Sequence, residues 1–372
     1  MNIKQSQVKP ISANISIVLD FLRLSSALLV FWVHADEIWF QSKSEIFTGV
    51  NLSHVAVVVF FVLSGYVIGY TTTANNRGWR QYTIARLSRL YSVLIPAILI
   101  TALIEFNIYL LDPQIHSLDY SRGLSWPRYI LTFFFQNETW FLCAGPRMNG
   151  PLWSLSFEGW YYLIFGFWFY RSIGWKGIIL PIVAVLCAGP KIMVLMPIWF
   201  MGYFSYKLKP INIKAIWSWL LVILFFGICG IVVSFMPSFP APLGTFPLVF
   251  AAQFVTDWTI GVLVSIGLWF IPVQDEKKIQ KDKLAKKVRK LADLTFPIYV
   301  LHFPFLSLWK VVFGIKVNDY IDMAIASMVV LIVVSFLGKI LDSQRVLWTN
   351  MLNNGFEKVR TFFIKKELLG NK

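Results

Sequence analysis

The sequence predicts an all-α integral membrane protein, a polytopic bundle of about ten transmembrane helices with both termini in the cytoplasm. Three observations carry this reading. Of 372 residues, 57% are hydrophobic and 14% charged, and the mean hydropathy is +0.64. Ten segments approach the ~20 apolar residues that cross ~30 Å of hydrocarbon. They are 17–39, 52–72, 90–111, 151–170, 176–190, 192–207, 215–235, 246–271, 293–313 and 321–342. The 34 Lys and Arg concentrate in the segments that lie inside when the N-terminus is placed in the cytoplasm, the asymmetry that sets orientation.

Taken in order, the first segment is 23 residues long and holds Asp20, Arg23 and His34, so it reads as a retained span and not as a signal peptide. The second contains Phe60-Phe-Val-Leu-Ser-Gly65, whose small Ser64 and Gly65 allow close helix contact. The third follows Arg86 and Arg89. The external loop 112–150 carries Trp126, Arg128, Glu138, Trp140 and Arg147, a mix suited either to covering a polar ligand or to capping the bundle. Its apolar run 129–135 is too short to span and reads as re-entrant or interfacial. The fifth and sixth segments are short and split by Gly189-Pro190, so they either cross separately or form a hairpin that does not fully cross. The cytoplasmic loop 272–292 is basic, and its Lys283, Lys286, Lys287 and Lys290 form a helical face suited to lipids of the inner leaflet. A cytoplasmic segment 1–16 precedes the membrane domain 17–342, and a basic cytoplasmic tail 343–372 follows it.

The composition also excludes. A net charge of +15 suggests nucleic acid, but the basic residues fall between apolar spans and form no single patch. Cys143, Cys187 and Cys229 show no metal or redox spacing, so neither a disulfide framework nor a metal site is expected.

The candidate chemistry begins with Arg23 and His34. Eleven residues make almost three helical turns, which puts both side chains on one face about 16 Å apart. Ionisable groups in a bilayer are costly and face the protein interior, so both are functional candidates. Asp20, three residues before Arg23, is placed to neutralise it. Arg86 and Arg89 have i,i+3 spacing, and a guanidinium fork suits phosphate. Glu158 lies ~9 Å below the start of its span and His34 ~8 Å below the end of its own, so the two share a layer. A carboxylate there would orient the imidazole as a general base. Ser154, at i,i+4 from Glu158, reads as a substrate or carboxylate hydrogen-bonding group or as a helix cap. Tyr161 and Tyr162 join Ser154 as candidate oxyanion donors. His302 falls ~13 Å into the ninth span, where it reads as a packing or supporting residue. Pro304 gives one structural reason for that histidine, because it frees a carbonyl one turn earlier that needs a donor. Glu105 and Asp257 are further intramembrane acids without assigned partners.

Leu19-Asp-Phe-Leu-Arg23 with His34, Phe60-Phe-Val-Leu-Ser-Gly65, Arg86-x-x-Arg89, Trp153-Ser-Leu-Ser-Phe-Glu158 and Tyr299-Val-Leu-His-Phe-Pro304 together resemble the acyltransferase-3 family of integral membrane acyltransferases. That family modifies sugars of cell-surface and secreted glycans. The motifs stand in the family's order, from about 17 to 342. The resemblance implies an O-acyltransferase of the bacterial inner membrane with an acyl-CoA donor, usually acetyl-CoA, held on the cytoplasmic side near Arg86 and Arg89. It implies His34 as the catalytic residue, with Arg23 its essential partner. The expected acceptor is a hydroxyl of a glycan or lipid-linked glycan such as O-antigen lipopolysaccharide, capsule or exopolysaccharide. The chain departs from the common form at Gly159, where many members carry a second acid, and at Phe21, where glycine is frequent. The esterase-like domain that many relatives carry is expected as a separate protein.

Two other readings use the same residues. A transporter would employ His34, Glu158 and His302 as a proton relay and Arg23 as an anion site, although the sequence lacks the internal hydropathy symmetry of many carriers. A scaffold in glycan assembly would not need His34 at all.

Overall fold

The computed structural model describes residues 13–40, 51–73, 78–121, 123–272 and 283–370. Residues 1–12 of the N-terminal segment and 273–282 of the basic loop lie outside the described residues. The helices are α1 (Ala13–Phe40), α2 (Leu52–Thr73), α3 (Trp79–Leu111), α4 (Pro113–Ile115), α5 (Ser125–Phe133), α6 (Trp153–Phe169), α7 (Lys176–Ala188), α8 (Pro190–Lys207), α9 (Ala215–Phe235), α10 (Phe254–Trp269), α11 (Lys283–Ala292), α12 (Thr295–Val312) and α13 (Tyr320–Gly370). The described residues contain no strand.

Among the described residues, six helices, α1, α2, α3, α9, α12 and α13, are long and apolar enough to cross a membrane. The other four segments counted in the sequence take different forms. Helices α6 and α10 have 17 and 16 residues. Helices α7 and α8 meet at an angle of 118° at Gly189-Pro190, a broken span or a re-entrant loop. Gly189 has φ +80°, and a Cβ there would lie 2.6 Å from the Trp140 backbone, so glycine suits this corner. The run 129–135 forms the second half of the short α5 and its end, and does not span.

Three boundaries differ from the sequence reading. Helix α3 begins at Trp79, so Arg86 and Arg89 lie inside it. Helix α10 begins at Phe254 and not near 246, because Pro247 and a 3₁₀ turn at Val249–Ala251 occupy the preceding residues. Helix α13 continues to Gly370, so most of the basic tail is helical. Arg80 Nη1 donates to Glu357 Oε1 at 2.6 Å, and Trp79 packs edge-on against Phe356, tying this extension to the start of α3.

Helices α2 and α8 approach each other closely. A Cβ on Gly65 would lie 1.8 Å from the Trp199 carbonyl oxygen, and one on Gly202 would lie 1.9 Å from that of Val62. Small residues let backbones approach where lipid supplies no hydrophobic drive to pack helices. Helix α1 packs between α2 and α12, α12 packs against α3 and α13, and α6 borders α3 and α7. At the far end of α1, Trp39 Nε1 donates to Asp322 Oδ2 at 2.8 Å, joining α1 to the start of α13.

The loop before α6 is pinned by a buried ion pair. Lys191 Nζ lies 2.5 Å from Glu138 Oε2, with both side chains at most 1% exposed, and it also donates to the Leu142 carbonyl. Removing one member leaves a buried charge, so Glu138→Gln should destabilise the protein by about 3–5 kcal/mol. Thermal unfolding in detergent should register that loss, and pairing the change with Lys191→Met should recover much of it. An unchanged midpoint in Glu138→Gln would mean the pair does not hold the loop.

Candidate active site

Helix α1 carries Arg23 near one end and His34 near the other. His34 is half-buried, and its Nδ1 lies 2.8 Å from Nε2 of the fully buried His302. The two rings are nearly parallel, 6° between planes. Hydrogen-bond chemistry fixes the tautomers of the neutral pair. His302 Nδ1 lies 2.9 Å from the Ile298 carbonyl, which can only accept, so Nδ1 carries the proton. Nε2 of His302 is then an acceptor, and His34 Nδ1–H donates to it. The lone pair of His34 falls on Nε2, the atom turned away from this contact. Phe31 and Phe303 pack on the two rings.

Glu158 is not the partner of His34. Its Oε1 accepts from Ser64 Oγ at 2.9 Å and from the Tyr162 hydroxyl, and Ser64 in turn accepts from Trp199 Nε1 at 3.2 Å. Shared depth failed to predict contact because α12, and not α6, is the helix packed against that part of α1. Ser154 bonds the Tyr299 hydroxyl at 2.7 Å instead of capping its helix. Tyr161 turns the other way, into the aromatic core against Phe61 and Trp199, with no hydrogen-bond partner for its hydroxyl. Its burial there argues against an oxyanion role, whereas Tyr162 sits at the carboxylate.

Arg23, Arg89 and Glu158 line one cavity of about 190 Å³, with Ser64, Ser154 and Tyr299 also in its wall. Asp20 Oδ1 is 3.9 Å from Arg23 Nη1, as the i,i+3 spacing predicts, while Arg23 Nη2 is buried without a hydrogen-bond partner among the described residues. A buried guanidinium with an open donor is suited to an anion. Arg345 of α13 adds a third guanidinium, opposed at the rim by Asp293 and Asp342. Burial pushes the Asp293 carboxyl above its usual range and Asp342 adds to this, while Arg289, Arg345 and Arg23 act against it. Tyr299 stands one turn along α12 from His302, so the cavity wall and the histidine pair share a helix.

Arg86 and Arg89 do not line one space. Arg89 faces the cavity, whereas Arg86 lies over the Tyr82 and Tyr162 rings, 5.6 Å from the latter's centroid, and borders a separate groove. The two are a turn apart on α3, and Tyr162 stands beside both.

Several residues escaped the sequence reading. The carbonyl freed by Pro304 is that of Val300, and its donor is Asn149 Nδ2 at 2.8 Å, from the loop before α6. The sequence offered that carbonyl as a structural reason for His302, but His302 Nδ1 bonds the Ile298 carbonyl instead, and nothing pointed to Asn149. Asp257 pairs with His54 at 2.9 Å, and Glu105 accepts from Ser125 and Tyr129 with His116 Nε2 at 3.6 Å. Arg345 had no signal beyond its charge.

The fold is that of a helical membrane protein with an arginine-lined cavity below a histidine pair. A family model described as an acyltransferase domain matches residues 17–340, and the chain belongs to the acyltransferase-3 family. It is also similar to the acyltransferase MdmB of Streptomyces mycarofaciens, 29% identical over 155 residues. That match covers 40% of this chain and 38% of MdmB, so the chain spans under half the length of that relative. No solved structure matches the chain.

Proposed function

We propose that this acyltransferase moves an acyl group, acetyl in the first instance, from acyl-CoA to a hydroxyl of a cell-surface or secreted glycan. The observation that carries the reading is the His34–His302 pair, with His34 Nε2 as its free base, on the helix that also brings Arg23 to the arginine cavity. Arg89, Arg23 and Arg345 receive the donor's phosphates, and the pantetheine arm extends along α1 toward His34. His34 Nε2 takes the acceptor hydroxyl's proton as its oxygen attacks the thioester carbonyl. The carbon–sulfur bond then breaks, and the leaving thiolate recovers the proton from the imidazolium. His302 accepts the His34 Nδ1–H bond throughout, holding the ring in place. Glu158 holds Ser64 and Tyr162 and balances the charge of Arg23 and Arg89.

Attack by His34 itself on the thioester, giving an acyl-histidine, is the alternative chemistry. The transporter reading does not account for membership of an acyltransferase family.

Mass spectrometry of surface glycans tests the function. Cells with the gene should carry glycans heavier by one acetyl group than cells lacking it or carrying His34→Ala. Identical glycans in all three would overturn the acetyl-glycan reading.

The orientation belongs to the same proposal: an inner-membrane protein with both termini and the arginine cavity in the cytoplasm. Single cysteines at Lys287 and Asn318 should label from the cytoplasm and from outside, respectively. Labelling of both from one side would reverse or break the scheme.

A further inference from the structure

The groove that takes Arg86 is larger than the catalytic cavity, about 650 Å³, and lies between α3, α6 and α7. Its walls are mostly apolar and aromatic, with Leu87, Leu90, Leu163 and Phe167 among them. Leu163 and Trp79, at its edge, are 41% and 57% exposed, so the groove opens on the outer surface of the bundle. Among the described residues, three cations line it, Arg86, Arg171 and Lys176, and no acid does. Arg171 and Lys176 stand at the α6–α7 turn, on the rim. Arg86 lies deeper, 8% exposed, with its Nε buried and without a hydrogen-bond partner among the described residues.

This is the pattern of an amphiphile site: cations on the rim, an open donor below them, and an apolar trough beyond. From Trp79 to Tyr91, both in the wall, the groove follows α3 for ~18 Å, close to one leaflet of a ~30 Å hydrocarbon core. The separation of charge from apolar length fits a lipid better than a soluble anion. We propose that the groove binds an anionic phospholipid, with its phosphate at Arg171 and Lys176, its ester oxygens toward Arg86, and an acyl chain along α3 and α6. The lipid would bear on the catalytic cavity through Tyr162, whose ring faces Arg86 and whose hydroxyl bonds Glu158. The site itself does not depend on the acyl-transfer proposal.

Native mass spectrometry of the purified full chain, exchanged between detergent micelles carrying phosphatidylglycerol or phosphatidylcholine, tests the assignment. Each basic residue near an anionic lipid surface favours it by about fivefold, so two rim cations should give a preference for phosphatidylglycerol of roughly 10- to 30-fold. Arg171→Gln with Lys176→Gln should bring that preference close to unity. Leu163→Trp, which fills the trough and keeps the charges, should also lower retention. Equal retention of the two lipids by the unaltered protein would overturn the site. So would loss in the charge variant with full retention in Leu163→Trp, because the chain would then lie elsewhere. Displacement of the retained lipid by acetyl-CoA would also overturn it, by assigning the groove to the acyl donor. None of these outcomes requires the enzyme to be active, so they are separable from any failure of the glycan assay.

Discussion

His34→Ala should abolish acyl transfer while leaving donor binding intact, and His302→Phe should come close to the same loss. A positioned general base contributes roughly 100- to 10,000-fold. The His34 imidazole is useful only if its Nδ1–H has an acceptor and its Nε2 faces outward, and the His302–Ile298 hydrogen bonds supply that condition. Phenylalanine fills the buried space of His302 and removes the acceptor. The double variant should therefore be little worse than His34→Ala, since residues acting as a unit are non-additive. Glu158→Gln should behave differently. Its carboxylate is bonded to Ser64 and Tyr162, away from the histidines, so its loss should multiply with that of His302→Phe. Transfer rates in matched, well-expressed variants decide the matter, with acetyl-CoA affinity measured alongside. Compounding losses in the histidine double variant, or full activity in His34→Ala, would remove the pair from the mechanism.

Arg89→Ala should weaken acetyl-CoA binding far more than Arg86→Ala. A hydrogen bond to a charged group contributes about 1.5–3 kcal/mol, which corresponds to roughly 10- to 150-fold in affinity. Arg89 faces the cavity that also holds Arg23 and Arg345, whereas Arg86 is stacked on Tyr82 and Tyr162 outside it. Arg89→Lys should recover part of the affinity, because charge persists without the fork. Arg345→Ala should lower affinity as well. Equal effects of Arg86→Ala and Arg89→Ala on donor affinity would mean that the two still act as one phosphate grip and that the division seen on α3 does not govern binding.

Arg23, Arg89, Glu158, Ser64 and Ser154, which line the cavity, stood out in the sequence, whereas Arg345 and several of the site's partners did not. Spacing along α1 placed Arg23 and His34 on one helix, and i,i+3 spacing paired Asp20 with Arg23, as the 3.9 Å contact bears out. Pro304 announced an unpaired carbonyl, and Ser64-Gly65 announced a close helix crossing, which the Gly65 and Gly202 contacts supply. Ten segments were counted as spans while six described helices are long and apolar enough to cross, because apolar length does not reveal a corner. Pro247 delays α10, and the chain turns by 118° at Gly189-Pro190.

Hydropathy and motif order determined by themselves that this is an all-helical membrane protein of the acyltransferase-3 family, because a helix's backbone bonds are local and its rise and period follow from residue spacing alone. Only the tertiary structure decided that His34 meets His302 and not Glu158, that Arg89 and Arg86 serve different spaces, and that Asn149 answers Pro304. Spacing gives a side chain's depth and its angle about its own helix axis, while its contacts depend on which helix lies alongside. That neighbour is chosen by packing across the whole bundle, where α12 fits against α1 and α6 does not.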